Sequence, residues 1–210
     1  MSYQSKDSHF FERLRDSAQD FLLGVKPDLQ DKLQIKVYPV DDMQNNELAK
    51  KFDQVGIDSF YFDADGEMRG LASRVNYFKR LNEDMPRPTF SLRFRKWDAI
   101  RKRWEDNAEF SRKLRAANSP ESFSLFPKLH VESFCHAKRS GNIGRSFGAE
   151  TKDIVNFIDE YFNDQDRVWT YFPKSGERRE VVCVDVEQFA RIYDLIPVKV
   201  PDGRYDFVVT

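Results

Sequence analysis

The sequence predicts a protein of the α/β class that contains helices and a mixed sheet, as α+β folds do. The spacing of its apolar residues supports that fold class. In several segments apolar residues recur three and four apart, as on one face of a helix. Other segments are short, rich in β-branched and aromatic residues, and bounded by glycine or proline, as strands are. Since 210 residues can bury one sizeable core, we expect one domain. It would comprise a core with an N-terminal helix over residues 1–150 and a packed extension over residues 151–210.

The first part of the chain predicts a helix, a strand and a second helix. An amphipathic helix is expected over Ser8 to Leu23, where a glycine and a nearby proline end it. A strand follows over Leu33 to Val40. Either Asp41 or Asp42 can cap a helix that runs to Val55, in which Leu48 and Phe52 lie on one apolar stripe.

Residues 56–77, GIDSFYFDADGEMRGLASRVNY, predict a β-hairpin. Its strands cover Ile57 to Phe62 and Met68 to Tyr77, and Asp-Gly between two apolar runs is a strong hairpin signal. A further strand over Thr89 to Trp97 alternates between an apolar face and a polar, basic face. The hairpin and this strand would supply three strands of the central sheet.

The remaining segments alternate helices with strands. A helix over Asp106 to Ala117 precedes a strand over Leu129 to His136, and the glycine-rich stretch SGNIGRSFG then reads as a link. The C-terminal part predicts, in order, a helix (Thr151 to Phe162), two strands (Val168 to Phe172 and Glu180 to Asp185), a short helix (Val186 to Leu195) and a last strand (Tyr205 to Val209).

Composition narrows the class of protein. Lys and Arg total 34 against 35 for Asp and Glu, so any nucleic-acid surface must be a local patch and not a general charge effect. Cys135 and Cys183 lie far apart without a CxxC partner, which predicts buried thiols in a reducing compartment. No apolar run is long enough for a membrane span. We therefore expect a cytoplasmic protein without a membrane partner.

The order helix, strand, strand, strand, helix, strand over residues 43–136, with Gly56-Ile57-Asp58 opening the first strand, carries a family resemblance. It resembles the PD-(D/E)XK restriction-endonuclease-like superfamily. The resemblance implies an αβββαβ core and nucleic acid as the partner. It also implies an acid on the first strand and an acid-x-lysine triplet on the second, which together bind Mg²⁺ or Mn²⁺ as the cofactor.

Carried over to this chain, the resemblance makes Asp58 the first acid and places Ala72-Ser73-Arg74 where the triplet would lie. Ala72 cannot bind a metal, and Arg74 stays protonated, which suits it to contact a phosphate and not to act as a base. Glu47 on the preceding helix could supply a second carboxylate. The expected catalytic residues are therefore Asp58, Glu47 and Arg74, with Asp58 and Glu47 as the metal ligands. The alternative is that Asp58 is a solvent-facing or hydrogen-bonded residue at the start of its strand.

A second group of candidate ligands, His130, Glu132 and His136, shares one face of the predicted strand over 129–136. Imidazole and carboxylate together suit Zn²⁺ or Mn²⁺. Residues four apart on a strand are separated by roughly 13 Å, too far for one ion without a bend. The alternative is a set of polar groups on a half-exposed strand, of which His130 or Glu132 could approach Asp58 across the sheet.

A basic stretch between Arg87 and Trp104 contains seven cations and one acid, with Trp97 and Trp104 among them. Cations interleaved with aromatic rings are typical of a surface that binds a phosphate backbone and stacks bases. A solvated face with two partly buried tryptophans is the alternative. The predicted nucleic-acid-binding residues are Arg93, Arg95, Lys96, Arg101, Lys102 and Arg103.

Two functions follow from these patterns. The first is a nucleic-acid-binding protein, either a divergent Mg²⁺-dependent phosphodiesterase of DNA-endonuclease type or its inactive relative. The second is a protein-binding accessory or inhibitor module of phage or mobile-element type, without catalysis. A protein partner or a second copy of the chain, as a homodimer, stays open at this stage.

Overall fold

The computed structural model describes residues 16–43, 46–77, 88–98, 100–105, 109–119, 126–173 and 179–200. In chain order its strands are β1 (Val37–Pro39), β2 (Ser59–Phe62), β3 (Met68–Tyr77), β4 (Thr89–Asp98), β5 (Arg103–Glu105), β6 (Pro127–Cys135), β7 (Ile143–Glu150), β8 (Val168–Tyr171), β9 (Arg179–Asp185) and β10 (Ile196–Lys199). Its helices are α1 (16–24), α2 (Lys26–Leu33), α3 (Asn46–Val55), α4 (Glu109–Ala117), α5 (Thr151–Tyr161) and α6 (Val186–Phe189).

The strands form two sheets. Six strands make a sheet in the order β1-β2-β3-β6-β7-β10, in which β3 and β6 run parallel and the other neighbours antiparallel. Four strands make an antiparallel sheet in the order β5-β4-β9-β8. The protein is thus a mixed α/β structure with a mixed sheet, and the predicted fold class is confirmed at that level.

The path of β4 differs from the expected αβββαβ core. Helix α3, strands β2, β3 and β4, helix α4 and strand β6 occur in the expected order along the chain, with β5 between β4 and α4. Strand β4, however, pairs with β5 and β9 in the second sheet. Phe90 and Leu92 are fully buried against helices α5 and α6, which explains why β4 lies there. The intervening Ser91 faces the six-stranded sheet and hydrogen-bonds to it.

Apolar side chains pack on both faces of the six-stranded sheet. Helices α1 and α2 cover one face, where Phe21 and Leu29 meet Leu71 and Val131. On the other face Phe147 joins the largest core, which lies among α4, α5, α6 and the second sheet. A third, small cluster joins α3 to the start of β2. Because both faces are covered, polar side chains between the two sheets need partners within the protein.

The N-terminal helix is confirmed over 16–24, while the expected residues 8–15 lie outside the described residues. A helix that was not expected, α2, follows at once, because Pro27 lies in its first turn and proline fits that position without loss of a hydrogen bond. Leu33 therefore belongs to a helix, and the expected strand is reduced to β1. Asp41 and Asp42 lie in a short 3₁₀ turn before α3.

The β2–β3 hairpin matches the sequence-based expectation. Gly66 has φ +79°, which a residue with a Cβ adopts only at a cost, and its N–H donates to the Asp63 carbonyl oxygen. The Asp63 carboxylate accepts the N–H groups of Asp65 and Glu67. These contacts close the turn and fix the register in which Phe62 lies opposite Met68.

The glycine-rich stretch expected to be a link is largely strand β7, which pairs with β6 on one side and β10 on the other. Only residues 136–142 form a loop, and α1 holds it. Buried Asp20 accepts the N–H groups of Gly141 and Arg139, each at 2.8 Å, and the Tyr77 hydroxyl at 2.7 Å. The expected strand over 205–209 lies outside the described residues, and none of the described helices is long and apolar enough to cross a membrane.

Candidate functional site

Charged and polar side chains from three strands, one helix and the chain before β2 meet between the two sheets. In the parallel β3–β6 pair, Arg74 lies opposite Glu132 and Ala72 opposite His130, so all four side chains share one face of the sheet. Strand β4 adds Ser91 from the second sheet, helix α4 adds Glu109 and Lys113, and the chain before β2 adds Asp58. We call the charged and polar residues of this group the inter-sheet cluster: Asp58, Arg74, Ser91, Glu109, Lys113, His130 and Glu132.

Glu132 is fully buried and joins the two sheets. One carboxylate oxygen accepts hydrogen bonds from the Asn76 amide and the Ser91 hydroxyl, each at 2.6 Å. The other accepts the Ser91 backbone N–H at 3.2 Å and His130 Nε2 at 3.0 Å. Both oxygens are therefore saturated by donors from the protein.

Arg74 and Glu109 form the other half of the cluster. The Arg74 guanidinium donates to the backbone oxygen and hydroxyl of Ser91 through one nitrogen, and to Glu109 at 3.0 Å through another. Glu109 also accepts Lys113 Nζ at 2.7 Å and the Arg93 backbone N–H at 3.1 Å. The Lys113 ammonium is almost completely buried, with 1% of its side chain exposed. An arginine and a lysine thus already neutralise this carboxylate.

Asp58 lies at the accessible margin of the cluster. The residue is exposed, yet one carboxylate oxygen accepts the Ser73 backbone N–H at 2.6 Å. The protein removes water from part of the Asp58 carboxyl group, which disfavours its charged form and raises its pKa to about 6. The negative charge of Glu109 acts in the same direction. The Ser73 N–H, Lys113 and Arg74 oppose that rise without cancelling it. Asp58 is consequently the carboxyl group of the cluster that can change charge near neutral pH.

The environment of the buried His130–Glu132 pair lowers the pKa of both groups. Burial acts to raise the pKa of Glu132, but the hydrogen bond from His130 and the charge of Arg74 outweigh it and lower that pKa. Burial also lowers the pKa of His130 despite Glu132, so the imidazole is neutral. A neutral His130 that donates from Nε2 leaves Nδ1 as a bare acceptor, and that buried nitrogen has no hydrogen-bond partner among the described atoms.

The oxygens present do not fit the Mg²⁺ or Mn²⁺ site that the family resemblance implies. Such ions need several free oxygen ligands, whereas the carboxylate of Glu109 already accepts three donors and that of Glu132 four. Among the described residues no three His, Cys, Asp or Glu side chains are grouped to hold a metal ion. The ammonium of Lys113 and the guanidinium of Arg74 supply the positive charge that a metal would otherwise bring.

The structure brings together only part of the predicted catalytic set. Asp58 and Arg74 belong to one cluster, and Arg74 is one of the charges that act on Asp58. Glu47 lies exposed in the first turn of α3, and the carboxylate that acts most strongly on Asp58 is Glu109. His130 and Glu132 are fully buried in this cluster, because β6 is buried along nearly its whole length and is not the half-exposed strand that was expected. His136 lies beyond the end of β6.

Glu109 and Lys113 were not among the predicted site residues, since a Glu-Lys pair four apart is ordinary on an exposed helix face. One signal was available. Lys113 falls three residues after Phe110 and one before Leu114, on the apolar stripe of its helix. A lysine on that stripe must be buried and therefore requires an acidic partner.

The predicted basic residues lie at the end of β4 and in the hairpin that joins it to β5. Arg95 is held by Glu180, with 2.7 Å between Nε and the carboxylate, and Arg101 contacts Asp98 and Glu105. The Asp98 carboxylate also accepts the N–H groups of Ile100 and Arg101, which shapes the turn. Lys96, Lys102 and Arg103 are exposed.

Comparison of the chain with protein-family models, with curated proteins and with solved structures finds no match.

Proposed function

We propose that the protein binds nucleic acid through the β4–β5 hairpin and the adjacent end of the second sheet, and that it acts by binding and not by metal-dependent cleavage. In terms of the family resemblance, it would be a catalytically silent relative. The observation that carries this proposal is the combination, on one surface, of exposed cations with exposed aromatic rings.

The cations of this surface are placed to meet a phosphate backbone. Lys96, Lys102 and Arg103 are exposed on the β4–β5 hairpin, whose turn is fixed by Asp98. Although the whole chain has a formal charge of −1, cations outnumber acids here. Such a local excess supplies most of the affinity of a protein for nucleic acid and makes that affinity depend on salt.

The inter-sheet cluster supports binding without hydrolysis. A phosphodiesterase centre needs free carboxylate oxygens for metal, or a free cation for the phosphate. In this cluster two Arg74 nitrogens donate to Ser91 and Glu109, and Lys113 is buried against Glu109. These groups join β3, β6, β4 and α4, so they stabilise the fold on which the hairpin is mounted.

Binding is tested by titrating a labelled oligonucleotide at several salt concentrations. We expect the logarithm of the binding constant to fall linearly with the logarithm of salt concentration. A triple variant, K96A/K102A/R103A, should bind about tenfold or more weakly and should reduce the salt slope by about 2. The matched control removes three exposed cations elsewhere and should leave both quantities unchanged: K36A/K152A/R191A.

Two results would contradict the proposal. The first is absence of salt-dependent binding by the unaltered protein. The second is hydrolysis of plasmid or single-stranded DNA in Mg²⁺ or Mn²⁺ that is lost in Asp58→Ala, since this would mean that the cluster cleaves nucleic acid.

A second candidate function, a protein-binding accessory module, is favoured by one separate surface. Tyr38, Phe62 and Met68 are each 40 to 48% exposed at the β1–β2 edge of the six-stranded sheet. Phe62 lies opposite Met68 in the hairpin and packs edge-on against Tyr38, with ring centroids 6.1 Å apart. Exposed apolar groups that adjoin one another mark many protein interfaces.

Co-purification separates the two candidates. Recovery of a protein partner that is lost in Phe62→Ala, with no binding of nucleic acid, would select the accessory module. Salt-dependent binding of nucleic acid that Phe62→Ala leaves intact would select the first proposal.

A further inference from the structure

Resting on the proposed function, we infer that the bound nucleic acid is single-stranded, and that its unpaired bases stack on a row of aromatic rings at the end of the second sheet. We call this row the ring platform; it consists of Phe94, Trp97, Trp104, Phe162 and Phe172, together with the Arg95 guanidinium.

The rings form two adjacent groups. Phe94 stacks on Phe162 with centroids 5.1 Å apart and an interplanar angle of 29°. Trp104 lies 5.7 Å from Trp97 and 5.7 Å from Phe172. Phe172 is 59% exposed and Phe162 is 38% exposed, so one ring of each group is open to solvent.

The guanidinium of Arg95 connects the two parts of the platform. It lies 5.6 Å from the Phe94 ring centroid and 5.5 Å from that of Trp104. A bulge in β4 between Arg93 and Arg95 makes this possible, because an extra residue in one strand changes the direction of the side chains. Glu180, which is almost fully buried, holds the guanidinium in place. The platform is therefore organised before any ligand arrives.

The chemistry of the platform favours unpaired bases over a duplex. The flat faces of bases are covered by their neighbours in a double helix and become available for stacking on protein rings only in single strands. Lys96, Lys102 and Arg103 lie on the same hairpin and provide charge complementarity for the phosphates between those bases. Every base has such a face, so we expect little preference for sequence.

The experiment compares binding of an oligothymidine of about 20 nucleotides with binding of a duplex of equal length at the same salt concentration. We expect the single strand to bind about tenfold or more tightly. Phe172→Ala should weaken single-strand binding by about tenfold and leave the salt slope unchanged, because it removes a stacking ring and no charge. Phe62→Ala is the matched control, an exposed phenylalanine of the other sheet, and should have no effect.

The outcomes distinguish failure of the single-strand inference from failure of the proposal that the protein binds nucleic acid. Binding of the duplex as tightly as the single strand, or an unaltered affinity in Phe172→Ala, would overturn the ring platform as a single-strand site while leaving nucleic-acid binding in place. Absence of salt-dependent binding to either oligonucleotide would overturn both. A circular-dichroism spectrum and melting curve unchanged in Phe172→Ala establish that a loss of affinity comes from the removed ring.

Discussion

Glu132 is the residue on which the junction of the two sheets depends. Its substitution by alanine leaves the Asn76, Ser91 and His130 donors without an acceptor and removes a negative charge beside Arg74. Loss of one partner from a buried charged network costs about 3–5 kcal/mol. We therefore expect Glu132→Ala to lower the free energy of unfolding by that amount in urea titrations.

The control for this prediction is Glu67→Ala. That carboxylate is 64% exposed and pairs with Arg69 on the hairpin surface, so its removal should cost less than about 1 kcal/mol. Equal effects of the two substitutions would mean that burial of Glu132 does not govern its contribution.

Asp58 should make stability depend on pH in a direction opposite to that of an ordinary buried salt bridge. Its pKa is raised from 3.8 to about 6 in the folded protein, so the folded state binds the proton more tightly than the unfolded state does. The stability that this proton contributes is present below about pH 4 and is lost as pH rises through about 6.

Asp58→Asn isolates this effect, because asparagine remains uncharged and keeps an oxygen for the Ser73 N–H. We expect the variant and the unaltered protein to be similarly stable near pH 4 and the variant to become relatively more stable towards about pH 7. Urea midpoints measured across this range test the prediction. A difference that is constant with pH, or that has the opposite sign, would show that the carboxyl group titrates normally.

At the scale of elements, α1 packs closely against the loop over 136–142 at Gly24. A Cβ on Gly24 would overlap the Gly141 carbonyl oxygen and the Ile143 side chain. The loop cannot easily retreat, because the Asp20 carboxylate holds the N–H groups of Gly141 and Arg139. Helix propensity alone would make alanine at position 24 stabilising by up to about 1 kcal/mol.

We expect the steric term to dominate, so that Gly24→Ala destabilises the protein by about 1–3 kcal/mol in thermal or urea unfolding. Gln19→Ala, at an exposed position of the same helix, should change stability by less than about 0.5 kcal/mol. A gain in stability at Gly24 would indicate that the loop moves away from α1 at little cost.

The sequence predicted those elements whose own residues carry a local pattern, such as a turn motif or an amphipathic stripe. The β2–β3 hairpin and helix α5 have a turn motif or an amphipathic stripe of their own, and both were predicted within one or two residues. Strand β7 is rich in glycine, and nearly all of it is buried between two partner strands, so alternation is absent and its stability comes from its neighbours. Strand β10 is four residues long and contains a proline.

The candidate site was predictable to a similar extent. Alternation along β3 correctly placed Ala72 and Arg74 on one face. The opposition of Arg74 and Glu132 depends on parallel pairing between strands 58 residues apart in sequence, which no local pattern encodes. Ser91 lies in the cluster because β4 belongs to the second sheet. That membership is decided by the packing of Phe90 and Leu92 and not by a local sequence pattern.

At the scale of the whole molecule, the described residues after position 150 contribute strands to both sheets. Strand β9 pairs with β4 and β8, and β10 pairs with β7. Helix α5 packs between β6, β7 and β9, and its Ile154 and Phe157 are fully buried in the largest core. Removal of this part would expose Phe90, Leu92 and Phe147 and leave β4 with only the three-residue β5 as a partner.

We therefore predict that a chain ended after residue 150 does not fold, although the sequence suggests an α/β core within those residues. Far-ultraviolet circular dichroism and amide NMR dispersion of the fragment should be those of an unfolded chain, while the full chain should unfold in one transition by tryptophan fluorescence and circular dichroism alike. The tryptophan fluorescence comes from Trp97, Trp104 and Trp169, which all lie in the second sheet, whereas the six-stranded sheet contributes to the circular dichroism. A folded, cooperative fragment would mean that the six-stranded sheet is stable without the second sheet and that the inter-sheet cluster joins two independent units.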